Sequence, residues 1–387
     1  MAELDKYQRQ TRFAHLGRPK PAIGTPVNPT LERSSTLLFD KAEDLYRTDI
    51  RAYGRHGNEV QDHLKLAFNH LEGGVDTCLT GSGLSACTLA IMACVKAGDH
   101  LLITDNSYGP VRHFCRAFLQ GWGVEVEFFD PRIGADISKQ VKDNTRLIWM
   151  ESPGSLTFEL HDIPAIVAIA NTHNIITAID NTWSAGLTLR PLTLGVDISV
   201  HAATKYFGGH GDVLFGAVTS RTKKLADKVA KTRKYLGHSV SSDDAYQILR
   251  GFRTVVSRFE QAETSADQLA RFLDERNDIL TVFHPALPSH PDHAIWKRDF
   301  TGGGCIFSFV PKGKTENDAV AFINALNLFG IGFSYGGYES LAIHCGPQIQ
   351  RQTYKTDFGG PLIRLACGIE NTQDLIDDVT QALAKIS

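Results

Sequence analysis

A succession of short apolar runs, each closed by polar residues and separated by helical stretches, limits the folds open to this chain of 387 residues. Thr77–Thr80 leads through Gly81-Ser82-Gly83 into a helix expected over 84–96. His100–Thr104 ends at Asp105, and Val124–Phe129 follows. Leu147–Met150 ends at Glu151, Ile175–Ile179 ends at Asp180, and Ile198–Ala202 ends near Thr204, before a last run over Val213–Val218. Short runs of this kind alternating with helices predict a mostly parallel sheet covered on both faces. In such sheets ligands gather beyond the carboxyl ends of the strands, where these polar residues recur.

The pattern changes after about Ser241. A long helix is expected from Asp244 to about Glu275, with Leu249, Phe259, Leu269 and Phe272 on its apolar side. Strand-like runs follow at Cys305–Val310 and Leu362–Leu365. A final helix opens at Asn371 with Asp374 in its first turn, and carries Leu375, Ile376, Val379, Leu383 and Ile386 as its stripe. The first fifty or so residues lack periodicity and predict an extended arm. The expected organisation is an α/β chain with an arm over 1–55, a ligand-binding large domain over 56–243 and a smaller α+β domain over 244–387.

Composition narrows the function. Hydrophobic residues make up 42% and charged residues 21%, as in a soluble globular protein rather than a disordered one. A net charge of −3 without a basic run predicts no nucleic-acid or membrane partner. The N-terminal segment carries charges throughout and has no apolar core of a secretory signal. The uncharged stretch Thr77–Val95 is broken by Gly81-Ser82-Gly83, so it predicts a strand, turn and buried helix rather than a membrane span. The 7 Cys are scattered, with no CxxC or Cys/His spacing, and predict buried thiols in a reducing, cytoplasmic setting, without a metal site.

Two cofactor readings compete. Gly81-Ser82-Gly83-Leu84-Ser85-Ala86 follows a strand, opens a helix and precedes a strand ending in Asp105, which resembles a dinucleotide fingerprint and would suit an NAD-dependent oxidoreductase. A helix N-terminus favours a phosphate but does not say which phosphate. The second constellation is Asp180, in Ile179-Asp180-Asn181-Thr182, and Lys205, 25 residues later in Ala202-Ala203-Thr204-Lys205-Tyr206, before the turn Gly208-Gly209-His210-Gly211. Adjacent parallel strands would present this acid and lysine at one sheet edge. Pyridoxal phosphate (PLP) needs that pair: a lysine to carry it and a carboxylate to keep its pyridine nitrogen protonated. Gly83 and Leu84 amides would hold its phosphate.

With YGRHGN (Tyr53–Asn58), ESPGS (Glu151–Ser155), HPALP (His284–Pro288), SYGGYESL (Ser334–Leu341) and LIRLACGIE (Leu362–Glu370) added, nearly the whole chain resembles the Cys/Met-metabolism family of PLP enzymes. GGYESL and HPALP resemble its β-lyase branch, which acts on L-cystathionine. The resemblance implies a fold-type I PLP-dependent transferase-like architecture and a homotetramer of two active dimers. It implies that Lys205 carries the cofactor and removes the substrate α-proton, and that Asp180 faces the pyridine nitrogen. Gly83, Leu84 and Thr204 would bind phosphate, and Tyr108 would stack on the ring. Tyr53 and Arg55 would reach a neighbouring subunit's phosphate. Arg364, with Ser334 and Ser155, would hold the α-carboxylate, as the guanidinium fork suits, and Tyr335 would line the distal half of the substrate site.

The resemblance also leaves γ-elimination, γ-replacement and a broader cystine or cysteine-conjugate lyase as related activities. Three positions depart from the family pattern. Ala202 replaces a common phosphate-binding Ser, Tyr335 a common Trp, and His56 a second Arg.

Overall fold

The computed structural model describes residues 4, 6–354 and 357–386; residues at both limits of the expected domains (1–3, 5 and 387) lie outside this set. Seven strands form the larger sheet: β1 (Asp76–Thr80), β2 (His100–Thr104), β3 (Glu125–Phe129), β4 (Thr145–Glu151), β5 (Ile176–Asp180), β6 (Ile198–His201) and β7 (Gly216–Ser220). Their order is β1-β7-β6-β5-β4-β2-β3. The five strands from β6 to β3 run parallel, and β7 runs antiparallel to both β1 and β6. Strand β1 therefore ends at the same edge as β4, β5 and β6.

Alternating residues of single strands enter opposite layers. Ile148 and Met150 of β4 pack into one core with Phe68, Phe129 and Ile179, while Leu147 and Trp149 pack into the other with Leu89, Leu101 and Ile198. Both alternations are apolar because helices cover both faces, as the sequence predicts. The second sheet contains β8 (Ile279–Phe283), β9 (Ile306–Pro311), β10 (Gly330–Ile331), β11 (Leu341–His344) and β12 (Ile363–Ala366), in the order β10-β11-β12-β9-β8. The last helix, Thr372–Leu383, packs Leu375, Val379 and Leu383 beneath it, and Asn371 caps it by accepting the Gln373 and Asp374 N–H groups.

Three sequence expectations change. The arm is not wholly extended: a helix at Arg9–His15 buries Phe13, whose ring stacks on Phe252 at 5.4 Å. The long helix divides into Ser242–Phe252 and Val255–Asp274. At the break the Thr254 hydroxyl donates to Gly251 O, a local bond that competes with helix continuation. The run at Val213–Val218 pairs only from Gly216 onward. A Cβ at Gly216 would lie 2.2 Å from Ser82 O, so this glycine lets β7 start against the turn after β1.

Candidate active site

The loops beyond the shared strand edge build the site. The helix Gly83–Cys94 is capped by Ser82, whose hydroxyl accepts the Ser85 N–H. Helix geometry leaves the Gly83 and Leu84 N–H groups without intrahelical acceptors. A Cβ at Gly83 would lie 2.4 Å from the Ala202 Cβ. Glycine thus lets this positive helix end press against the turn that carries Lys205, forming a cradle for an anion.

Asp180 ends β5. Its Oδ1 accepts the Thr182 N–H at 3.0 Å and the Thr182 hydroxyl at 2.6 Å, while Cys87 Sγ stands 3.6 Å from Oδ2. Thr182 also accepts the Ala202 N–H at 2.8 Å, tying the end of β5 to the loop after β6. Across the β4–β5 pairing, Glu151 lies opposite Asp180. Burial pushes the Glu151 carboxyl well above the ordinary range and the Asp180 charge adds to this, against the opposing Tyr108 N–H. That N–H donates to Glu151 Oε2 at 2.6 Å and fixes the start of the half-exposed Tyr108. Sequence reasoning missed Glu151, Thr182 and Cys87 as partners here. Thr182 and Glu151 lay inside quoted motifs, whereas nothing local marks Cys87, which arrives from the helix after β1.

Lys205 sits in a kinked turn after β6 with φ −73 and ψ −113. Its Nζ donates to Ser334 Oγ at 2.8 Å and lies 5.1 Å from the centroid of the Tyr335 ring. Burial lowers the amine from 10.5 to about 8, helped by the Arg364 charge and opposed by Asp180. The Arg364 Nη2 donates to Ser334 O at 3.1 Å, so one serine joins lysine to arginine across the two sheets. Ser334 holds a φ of 148°, and Gly336 a φ of 73° where a Cβ would meet Tyr206 at 3.0 Å. The SYGG segment is thereby folded tightly over the Lys205 turn. A cavity of ≈ 460 Å³ opens beside it, lined by Thr204, Leu214, Phe333, Ser334 and Tyr335 among others.

The structure gathers Lys205, Asp180, Gly83, Leu84, Thr204, Arg364, Ser334 and Tyr335 along this edge, with Tyr108 and Ser155 on the neighbouring loops. Thr204 is partly committed: its hydroxyl donates to Phe215 O and accepts the Phe215 N–H. Tyr53 and Arg55 lie elsewhere. The Arg55 guanidinium packs over the Tyr53 ring at 5.1 Å, and both line a separate cavity with Arg33, Asn58 and Ser242. Among the described residues, no hydrogen bond, ion pair or ring contact joins them to Lys205, Asp180 or Arg364. His56 beside them is lowered by burial and by Lys234 and Arg55.

These features fit pyridoxal phosphate. Asp180 offers Oδ2, Lys205 a desolvated amine, and Gly83 brings the helix end with its free N–H groups against the turn that carries Lys205. They do not fit a dinucleotide. The buried Asp105 spends Oδ2 on the Gln352 and Thr353 N–H groups and Oδ1 on Arg112, leaving nothing for a ribose.

The pattern of the family described as Cys/Met metabolism PLP-dependent enzyme matches residues 10–384. The chain is 40% identical over 395 residues to cystathionine beta-lyase of Bordetella avium, covering 99% of each. It is 39% identical over 388 residues to cystathionine beta-lyase MetC of Escherichia coli, covering 97% of this chain and 98% of that one. The crystal structure of metB from Corynebacterium glutamicum superposes with a TM-score of 0.91 at 28% identity, covering 99% of this chain and 100% of that chain.

Proposed function

The chain belongs to the Cys/Met-metabolism PLP-dependent enzymes, and from that premise we propose that it is a carbon–sulfur β-lyase converting L-cystathionine to homocysteine, pyruvate and ammonia, with weaker action on L-cystine. The observation that carries the reading is Lys205: a desolvated amine with a depressed pKa, bonded to the serine that also meets Arg364. The two beta-lyase relatives support the substrate.

Pyridoxal phosphate, when bound, supplies the electron sink that makes the substrate Cα–H acidic. The chain's residues do the rest. The Gly83 and Leu84 amides, free at the helix start, would hold the phosphate. Thr204 joins them only by turning its hydroxyl proton away from Phe215 O. Asp180 Oδ2 would accept a hydrogen bond from the ring N–H and so keep that nitrogen protonated, and Tyr108 would cover the ring. Arg364 takes the substrate α-carboxylate as a forked pair, with Ser334 and Ser155 beside it, which orients Cα toward Lys205. Free Lys205 accepts the Cα proton at Nζ. Its lowered pKa leaves part of the amine neutral near pH 7, as a general base requires. The Cβ–S bond then breaks with its electron pair on sulfur. Sulfur takes up a proton and leaves as homocysteine, and the three-carbon remainder adds water to give pyruvate and ammonia. Tyr335 lines the distal half of the site.

Tyr53 and Arg55, which line a cavity separate from the one beside Lys205, serve a neighbouring subunit's phosphate. The assembly is a cytoplasmic homotetramer of two active dimers. Each chain is organised as an arm (1–55), a PLP-binding domain (56–243) and a small domain (244–387). No described helix is long and apolar enough to cross a membrane.

Product analysis tests the activity. Holoenzyme supplied with L-cystathionine should release homocysteine and pyruvate. Cysteine with 2-oxobutyrate would mean γ-cleavage and would overturn the β-lyase reading with every cofactor residue in place.

A further inference from the structure

Asp105 has no part in the chemistry above, yet it is fully buried and saturated with hydrogen bonds. It follows β2 directly and stands three residues before Tyr108. Its Oδ2 accepts the Gln352 N–H at 2.6 Å, the Thr353 N–H at 2.8 Å and the Thr353 hydroxyl at 3.0 Å. These donors belong to the connection between β11 and β12, so a strand end of the large sheet holds a loop of the smaller one. Burial pushes the Asp105 carboxyl up, but the Thr353 N–H and Arg112 outweigh it and hold the group below its usual range.

Arg351 in the same loop closes a circuit. Its Nη1 donates to Asp105 O at 3.1 Å, and its Nη2 to Ser155 O at 3.2 Å and to Thr157 Oγ1 at 2.7 Å. The Ser155 N–H donates to Asn106 O at 2.8 Å, returning to the residue after Asp105. A Cβ at Gly154 would overlap the Asn106 side chain at 1.9 Å, so the two loops meet backbone to side chain with no room to slide. Tyr354 adds a bond from its hydroxyl to Glu159, whose other oxygen accepts from Asn106 Nδ2 at 3.3 Å.

We propose that Asp105 and Arg351 are positioning residues: by latching the 351–354 segment onto the end of β2, they set the placement of Ser155 and Tyr108, and thereby the fit of the substrate carboxylate and the cover over the ring. The inference rests on the site assignment above. It goes further in giving the small sheet a direct hold on two residues of the large-domain site, separate from the Arg364–Ser334 link. The loop is part of the site wall, and its release loosens substrate binding before it loosens the fold.

The test uses the holoenzyme and the variants Arg351→Met, Arg351→Lys and Asp105→Asn. Arg351→Met should keep one cofactor per chain while raising KM for L-cystathionine at least tenfold, with a smaller fall in kcat. It should also speed amide hydrogen exchange in both 351–354 and 106–108 at least tenfold, and change the visible circular dichroism of the bound cofactor. Arg351→Lys, which can restore one of the lost bonds, should recover part of the KM. A purely structural loop would give faster exchange at 351–354 alone, with KM and the dichroism within twofold of wild type, and that result overturns the proposal. If Asp105→Asn does not fold, Arg351→Met carries the test. Should wild-type enzyme not act on cystathionine, the activity reading fails by itself, and exchange at 106–108 with the cofactor dichroism still decides the latch.

Discussion

The protonation of Lys205 offers the sharpest quantitative test of the site. The amine is lowered from 10.5 to about 8 chiefly by burial, with Arg364 adding to the effect and Asp180 opposing it. At pH 7 a group with that pKa is neutral in about one molecule in ten, against about one in three thousand for an ordinary lysine, a ratio of about 300. Trace acetylation reads this directly, because only the neutral amine reacts. Cofactor-free protein treated with limiting acetic anhydride across pH 6–11 and mapped by peptide mass spectrometry should show Lys205 titrating with a midpoint near 8. Arg364→Met should raise the midpoint only part of the way to the ordinary lysine value, since removing a like charge relieves the smaller cause and leaves burial in place. Asp180→Asn should move it down. A wild-type midpoint above 10 would refute the desolvation argument. A full return to the ordinary value in Arg364→Met would show that charge, not burial, sets the amine.

The same shift has a stability consequence of defined sign. Between about pH 8 and 10.5 the unfolded chain binds more protons at this lysine than the folded one, so the stability of the cofactor-free fold rises with pH through that window. Below it the folded state carries the whole cost, at most about 3 kcal/mol for a shift of this size and less because the amine still meets solvent. Lys205→Met should therefore stabilise the cofactor-free protein near pH 7, and the gain should shrink as pH approaches 10.

Two further perturbations address the cradle and the assembly. Gly83→Val should weaken pyridoxal phosphate binding at least tenfold in equilibrium dialysis, because its Cβ must displace the Ala202 turn 2.4 Å away; unchanged affinity would remove the helix end from the phosphate site. Mixing Lys205→Ala protein with Arg55→Ala protein should restore activity that neither has alone, since hybrid dimers regain one whole site, whereas full activity of Arg55→Ala on its own would end the shared-site reading.

How much of this was legible in the sequence follows from where each signal resides. The strand ends at Thr104, Glu151 and Asp180 could be placed because an apolar run meeting a polar residue is a local signal. The mostly parallel sheet and its two buried faces followed from the same runs, whereas the strand order and the antiparallel β7 did not. Ser82-Gly83 and Asn371 were readable as helix starts because capping depends on residues two or three apart. Arg364 meeting Ser334, and Cys87 meeting Asp180, join residues 30 and 93 positions apart. No periodicity encodes such contacts; only the motifs of the resemblance brought Arg364 and Ser334 together, and Cys87 belonged to none of them. The break at Arg253–Thr254 was hidden because the apolar stripe continues through it, while the competing Thr254 hydroxyl bond depends on one side chain's rotamer.

Asp105 separates the two cofactor readings most clearly. An acid at the end of the strand after a Gly-rich turn is what a dinucleotide site would place against a ribose. That acid has the same local context in either reading, because two of the residues that occupy it, Gln352 and Thr353, lie 247 and 248 positions away. In the folded chain Thr353 and Gln352 fill one carboxylate oxygen and Arg112 engages the other. A ribose hydroxyl would have to displace backbone N–H donors that no water could then reach, leaving buried donors unpaired at about 1–3 kcal/mol each. The dinucleotide reading thus fails on hydrogen-bond occupancy rather than on shape. The same occupancy gives Asp105 its own role, holding a loop of the small sheet against the residues that lead to Tyr108.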